Sequence, residues 1–276
     1  MIIQHNIAAI NSYRNLGINQ GSLNKNLEKL SSGFKINRAG DDAAGLAISE
    51  SMRSQINGLN QAASNADDAI GLIKTAEGAL TEVHSMLQRM STLATQAANG
   101  TFNSVARANI QSEIDELNKE IDRIAQNTSF NGIKPLDGKT AKLTFQIGPS
   151  AAETITTSLQ SMEASKIGVD KINVSNADNA KGIQEANKAI DTINSAIDSV
   201  SRFRAKLGAA QNRLEHTVNN LRVTSENITA AESRIRDTDM ADEITAFTKN
   251  NILLQSSQSM LAQSNAAPQG ILSLLQ

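Results

Sequence analysis

Side chains able to do acid–base or metal chemistry are few in this chain and badly spaced for it. The three histidines, His5, His84 and His216, fall on separate segments without a short metal-ligand spacing and without H-E-x-x-H. His84 lies on an apolar helical register, so it reads as a packing residue rather than a ligand. The adjacent pairs Asp41-Asp42 and Asp67-Asp68 point to different faces of a helix, which excludes a catalytic carboxylate dyad. Cysteine is absent, and with it go disulfides, thiolate metal sites and thiol nucleophiles. A glycine-punctuated run from Leu30 to Ser49, with Gly33, Gly40 and Gly45, has the look of a phosphate loop but lacks the P-loop spacing and its lysine. The expectation is a protein with no enzyme activity, no metal and no cofactor.

Composition points to architecture instead. Among 276 residues, 26 basic side chains stand against 28 acidic ones, a near-neutral balance that argues against a nucleic-acid partner. Aromatic residues make up only 3%, while Gly 16 and Pro 3 leave long stretches free of helix breakers. Such a chain suits long helices packed closely through small residues. No segment reaches about 18 consecutive apolar residues, so membrane insertion is not expected. The N-terminus has no basic, apolar and A-x-A-like succession, which leaves a cytoplasmic protein or export by a route needing no such signal.

The prolines at 135, 149 and 268 divide the chain. Before them, Met52, Ile56, Leu59, Ala63, Ala66, Ile70, Ile73, Leu80 and Leu87 keep a three-four alternation that only Glu77 and His84 break. A second stripe runs beside it through Leu72, Ala76, Val83, Met90, Leu93 and Ala97, so this helix needs two neighbours. The longest pattern, Ile183 to Ile235, is apolar except at Arg204, Gln211, Ser225 and Glu232, and predicts a helix roughly 80 Å long. Together these predict a mainly α protein: a long antiparallel helical coiled-coil rod over 45–235, with helices about 45–98, 104–127 and 177–235. A small β-element over about 128–176 completes it, with Leu143 to Ile147 as the clearest strand and Glu153–Leu159 and Ile167–Val174 as weaker ones.

Residues 1–44 and 236–276 predict a terminal two-helix domain. Ile3, Ile7 and Ile10 give way, after a phase slip near Tyr13, to Leu23, Leu27, Leu30 and Phe34. At the other end, Ile244, Phe247, Leu254 and Leu261 are followed by Leu272 and Leu275. Residues 250–276 contain no Asp, Glu, Lys or Arg. A solvated surface helix would carry charge, whereas apolar-striped neutral ends suit a polymer core. Ordering them costs more conformational freedom than their own burial returns, so they are expected to be disordered in a lone chain and to fold on assembly.

The run Leu30-Ser31-Ser32-Gly33-Phe34-Lys35-Ile36-Asn37-Arg38-Ala39-Gly40-Asp41-Asp42-Ala43-Ala44-Gly45-Leu46 reads as an inter-domain joint formed by Gly33, Gly40, Asp41, Asp42 and Gly45, leading into a helix whose N-terminus favours acids. It resembles the N-terminal signature of bacterial flagellins. Leu87-Gln88-Arg89-Met90, Asn127-Thr128-Ser129-Phe130-Asn131-Gly132, Ser233-Arg234-Ile235-Arg236-Asp237-Thr238-Asp239 and the ending Leu272-Ser273-Leu274-Leu275-Gln276 resemble the family in its order.

The resemblance implies a short flagellin without outer variable domains, self-assembling into an extracellular flagellar filament. It implies flagellar cap and hook-associated proteins as partners, unfolded export by the flagellar type III machinery, and an export chaperone on the C-terminal segment around Ile252–Leu275. It also makes Arg89, Leu93 and Glu113 a candidate contact for the vertebrate Toll-like receptor for flagellin. Alternatives are a hook–filament junction protein, which shares the terminal pattern, and a soluble coiled-coil adaptor, which the charge-free tail disfavours.

Overall fold

The computed structural model describes residues 6–176 and 178–274, the side chains of 179, 269 and 271–274 aside. Ile3 and Leu275, and the side chain of Leu272, therefore lie outside the described residues. In chain order the elements are α1 (Ile7–Ser32), α2 (Ala43–Ala97), α3 (Ser104–Asn127), β1 (Lys142–Gln146), β2 (Thr154–Ser158), α4 (Ala164–Ile167), α5 (Asn179–Arg236) and α6 (Met240–Leu274). The fold is mainly α with one small antiparallel sheet, as the patterning predicts. Two compact units divide it: Met1–Ile56 with Glu226–Gln276, and Asn57–Ser225. This division falls within α2 and within α5, whereas the sequence reading puts the boundaries at 44/45 and 235/236.

In the Asn57–Ser225 unit, both stripes of α2 are buried, Ala66, Ile73, Leu80 and Leu87 from one and Ala76, Val83, Met90 and Leu93 from the other. They share one core with Ile110, Ile114 and Ile121 of α3 and Ile193, Val200, Leu207 and Leu214 of α5. The alternation is buried because it keeps one face of each helix continuously apolar. Ion pairs fix the helix directions. Arg222 meets Asp67 at 3.0 Å and Arg204 meets Glu77 at 3.5 Å, so α5 runs antiparallel to α2. Arg204 and Glu77 are charged interruptions of otherwise apolar registers, and the structure pairs them with each other. His84, the other interruption, is half-buried beside Gln88, with 3.1 Å between its Nε2 and the Gln88 Nε2.

Arg107, only 1% exposed, donates from Nε to the Ala97 carbonyl at 3.1 Å and from Nη2 to that of Asn99 at 3.5 Å. It satisfies carbonyls that the end of α2 would otherwise leave orphaned. A Cβ at Gly182 would fall 2.7 Å from the Arg107 Nη1, so glycine there makes room for the guanidinium.

β1 and β2 pair antiparallel with Lys142 opposite Ser158 and Phe145 opposite Ile155. The strand expected over Ile167–Val174 does not form. Gly168, at φ 87°, ends α4, and the following backbone bonds to side chains of α3 instead of a strand. Asn118 Nδ2 donates to the Val169 carbonyl, Gln111 Nε2 to that of Ile172, and the Val174 N–H to Gln111 Oε1. Its β-branched residues Val169, Ile172 and Val174 are buried, which is why the segment reads as a strand in sequence.

Truncating Leu87, fully buried in this core, to alanine is expected to destabilise the unit by about 2–5 kcal/mol. Denaturant unfolding followed by circular dichroism measures this, and a change within error would mean the site collapses around the smaller side chain.

Candidate functional site

The terminal unit pairs α1 with α6, and the seam between them mixes apolar side chains with hydrogen-bonding ones. Asn6 Nδ2 donates to the Ser264 carbonyl at 2.7 Å, and Asn19 Nδ2 donates to Ser257 Oγ at 2.7 Å. Ser12 Oγ and Ser264 Oγ lie 3.5 Å apart. Among the described residues, Leu23 and Asn26 alone are buried on α1. Phe247, Leu254 and Leu261 of α6 are half-buried along the seam, as are Leu16 and Leu30 of α1.

Ile7, Ile10 and Ile18 point away from it, 61%, 57% and 60% exposed. At 3.6 residues per turn they lie on the far side of α1 from Ser12, Asn19 and Leu23. The phase slip near Tyr13 marks this change: before it the apolar row faces outward, and after it the row turns into the seam. On α6, Ile244, Ile252, Leu253 and Met260 are also exposed, as is Leu27 on α1. Each end is a helix that packs on the other. What remains unmet is the burial of their outward apolar side chains.

The run from Gly33 to Gly45 joins α1 to α2 and lies inside the terminal unit rather than at its edge. Gly33, at φ 77°, caps α1 in a left-handed conformation that a side chain would strain. The chain then pairs with the segment between α5 and α6. The Lys35 N–H donates to the Arg236 carbonyl at 2.8 Å, the Thr238 N–H donates to that of Gly33 at 2.9 Å, and the Arg236 guanidinium lies 4.7 Å from the centre of the Phe34 ring. Arg236 Nη1 also meets Glu50 Oε1 at 2.6 Å.

Two aspartates close the turn. Asp42 Oδ1 accepts from the Gly45 N–H at 2.9 Å and caps α2. A Cβ on Gly45 would come 2.4 Å from Asp42 Oδ2, so glycine permits that cap. Asp41 Oδ2 accepts from the N–H groups of Asn37 and Arg38 at 3.2 and 3.1 Å. The Arg38 and Asn37 amides hold its carboxyl below the usual aspartate range. Gly40 completes the loop.

In the Asn57–Ser225 unit, Arg89 grips Glu113 with Nε and Nη2 at 2.8 and 2.7 Å on an exposed face between α2 and α3. Leu93 is not on that surface. It is 2% exposed and belongs to the core, since the second apolar stripe on which it lies is buried against the neighbouring helices.

The bacterial flagellin N-terminal helical region matches residues 3–141, and the bacterial flagellin C-terminal helical region matches residues 190–275. The chain belongs to the bacterial flagellins. Flagellins of Bacillus subtilis and Halalkalibacterium halodurans are 50% and 51% identical to it, each over the whole of both chains. The flagellar filament 33 kDa core protein of Treponema phagedenis is 47% identical, also over both whole chains. Among solved structures, Bacillus cereus flagellin superposes with a TM-score of 0.50 at 31% identity, over 61% of this chain and 94% of the other. A putative flagellar hook-associated protein from Vibrio parahaemolyticus shares the fold, with a TM-score of 0.59 at 15% identity, over 71% of this chain and 100% of that one.

This flagellin is a structural subunit of the flagellar filament. The seam residues Asn6, Ser12, Asn19, Ser257 and Ser264 escape a reading built on apolar stripes. Their signal is present nonetheless in the seven-residue spacing of Ser257 and Ser264 and the three-four spacing of small and polar residues through the start of α1.

Asp41 supports the turn only while ionised. Its lowered carboxyl means this support is complete above the ordinary aspartate value of about 3.9 and is lost as pH falls below it, through the lowered value. Amide exchange at Asn37 and Arg38 is expected to accelerate over that acid range, whereas in Asp41→Ala it is already fast at neutral pH. Equal protection in the variant would remove Asp41 from this role.

Proposed function

We propose that the terminal pair α1 and α6 is the surface through which copies of this chain assemble. Ile7, Ile10, Leu27 and Ile244 act directly against neighbouring copies, and Leu23, Leu30, Phe34, Phe247, Leu254 and Leu261 brace the pair. Ile3, Leu272 and Leu275 extend the same pattern in sequence. One observation carries the reading: the pair keeps hydrogen-bonding side chains in its own seam and turns its isoleucines outward. Burying an exposed isoleucine returns about 1.5–3 kcal/mol, which a lone chain forgoes and a polymer recovers. Gly33, Gly40, Asp41, Asp42 and Gly45 set the angle at which α1 leaves α2.

The chain acts mechanically and needs no cofactor or catalytic group; among the described residues no cluster of His, Asp or Glu is placed to hold a metal, and no helix is long and apolar enough to cross a membrane. It is exported by the flagellar type III route to an extracellular filament, where cap and hook-associated proteins meet its ends. Before export, a chaperone covers the neutral segment around Ile252–Leu275, whose exposed Ile252, Leu253 and Met260 are the apolar groups to be shielded. Arg89 and Glu113 form a contact for the vertebrate Toll-like flagellin receptor, without direct participation of Leu93.

Ile10→Asp places a charge on the outward row. It is expected to abolish filaments in electron micrographs while leaving the helical circular dichroism unchanged, as is deletion of residues 250–276 apart from the loss of its own helix. Filaments from either variant would refute the assembly surface. Separately, Arg89→Ala and Glu113→Ala are expected to weaken receptor binding several-fold at unchanged thermal stability. Unaltered affinity would remove that contact.

A further inference from the structure

The seam between α1 and α6 is not closed evenly. On one flank Ser12, Asn15, Leu253, Ser256, Ser257 and Met260 surround an open socket of about 160 Å³. Its walls are apolar at Leu253 and Met260, both exposed, while the remaining lining offers hydroxyl and amide groups and no charge. On the opposite flank stands Tyr13, 70% exposed and the only tyrosine in the chain. Tyr13 and Asn15 are two positions apart, about 200° around the helix, and the seam-facing Ser12 lies between them.

We propose that the Tyr13 ring of one copy seats in this socket of the next copy. The inference rests on the assembly reading above and names the contact that makes it directional. The fit is chemical on three counts. The socket is the size of one large side chain. Tyrosine is apolar in body with a hydroxyl at the tip, and needs a hydrogen-bond partner once buried, which Asn15 and the serines supply. Met260 offers its thioether to the ring, a favourable contact for an aromatic group. Both surfaces are neutral, so neither loses ion solvation on docking.

The placement also decides what kind of assembly results. A projection and its socket on opposite flanks of the same helix pair cannot satisfy each other within one copy, and they do not form the self-matching patch of a two-fold dimer. They pair head to tail, and a head-to-tail contact propagates from copy to copy until a ring closes or a filament grows.

Two measurements test this on the whole chain. Copies carrying Tyr13→Cys and copies carrying Ser256→Cys, in a protein with no other cysteine, are copolymerised and oxidised. Mixed disulfide-linked dimers are expected from filaments and not from dissociated subunits; filaments that yield no mixed dimer overturn the contact. The second measurement uses the unsubstituted protein, whose emission comes from Tyr13 alone because the chain has no tryptophan. Acrylamide quenching of that emission is expected to fall several-fold on assembly, and equal quenching in filament and subunit overturns the proposal even if the cysteine variants do not assemble. Absence of filaments from the unsubstituted protein is a separate result, which would defeat the assembly reading itself and the Tyr13 contact with it.

Discussion

The division of apolar side chains between the α1–α6 seam, which holds Leu16, Leu23, Leu30, Phe247, Leu254 and Leu261 among its polar groups, and the outer face of the pair is the constraint on which the terminal unit depends. Two helices that met only each other would bury their apolar rows between them and turn their polar groups to water. Here asparagines and serines hydrogen-bond across the seam, while Ile7, Ile10 and Ile18 face out. The arrangement satisfies those polar groups locally and leaves the isoleucines exposed, a hydrophobic gain that the assembly proposed above would realise. A subunit that had already buried its apolar surface would have little to gain from a polymer. Neutrality of the last 27 residues serves the same end, since charge would have to be desolvated or paired at every contact.

The Asn57–Ser225 unit follows the opposite rule. Its helices bury both stripes of α2 in a continuous core, and the charged interruptions Arg204 and Glu77 answer each other, while Arg222 and Asp67 pair on the surface. Arg107 closes the end of α2 with hydrogen bonds to two carbonyls. This unit is complete as it stands. One chain thus holds a bundle with a continuous core and a pair of helices that leave large apolar side chains exposed.

The joint shows how little material can set a direction. Gly33 supplies the left-handed cap, Asp41 ties back two amides, Asp42 caps α2, and the Phe34–Arg236 contact holds the strand-like pairing against the far segment. Each residue does one geometric task that its neighbours in type would do poorly. Alanine at Gly45, for instance, would collide with the very carboxylate that starts the helix.

Periodicity and composition by themselves determined the long helices α2, α3 and α5, the two buried stripes of α2, the strand at Leu143 and the neutrality of the ends, because each depends on the spacing of residue types along one segment; Pro268, read as a divider, instead lies inside α6. The tertiary structure alone decided which face of a stripe meets which partner. It put Leu93 inside and left Arg89 outside, although they are one turn apart, and it sent the backbone of 169–174 to Gln111 and Asn118 rather than into a strand. It also showed that the isoleucines of α1 face away from α6. A helical register records that apolar residues share a side, but the direction of that side is fixed only by what packs against the rest of the helix, and here that is a seam of leucines, asparagines and serines brought together from opposite ends of the chain.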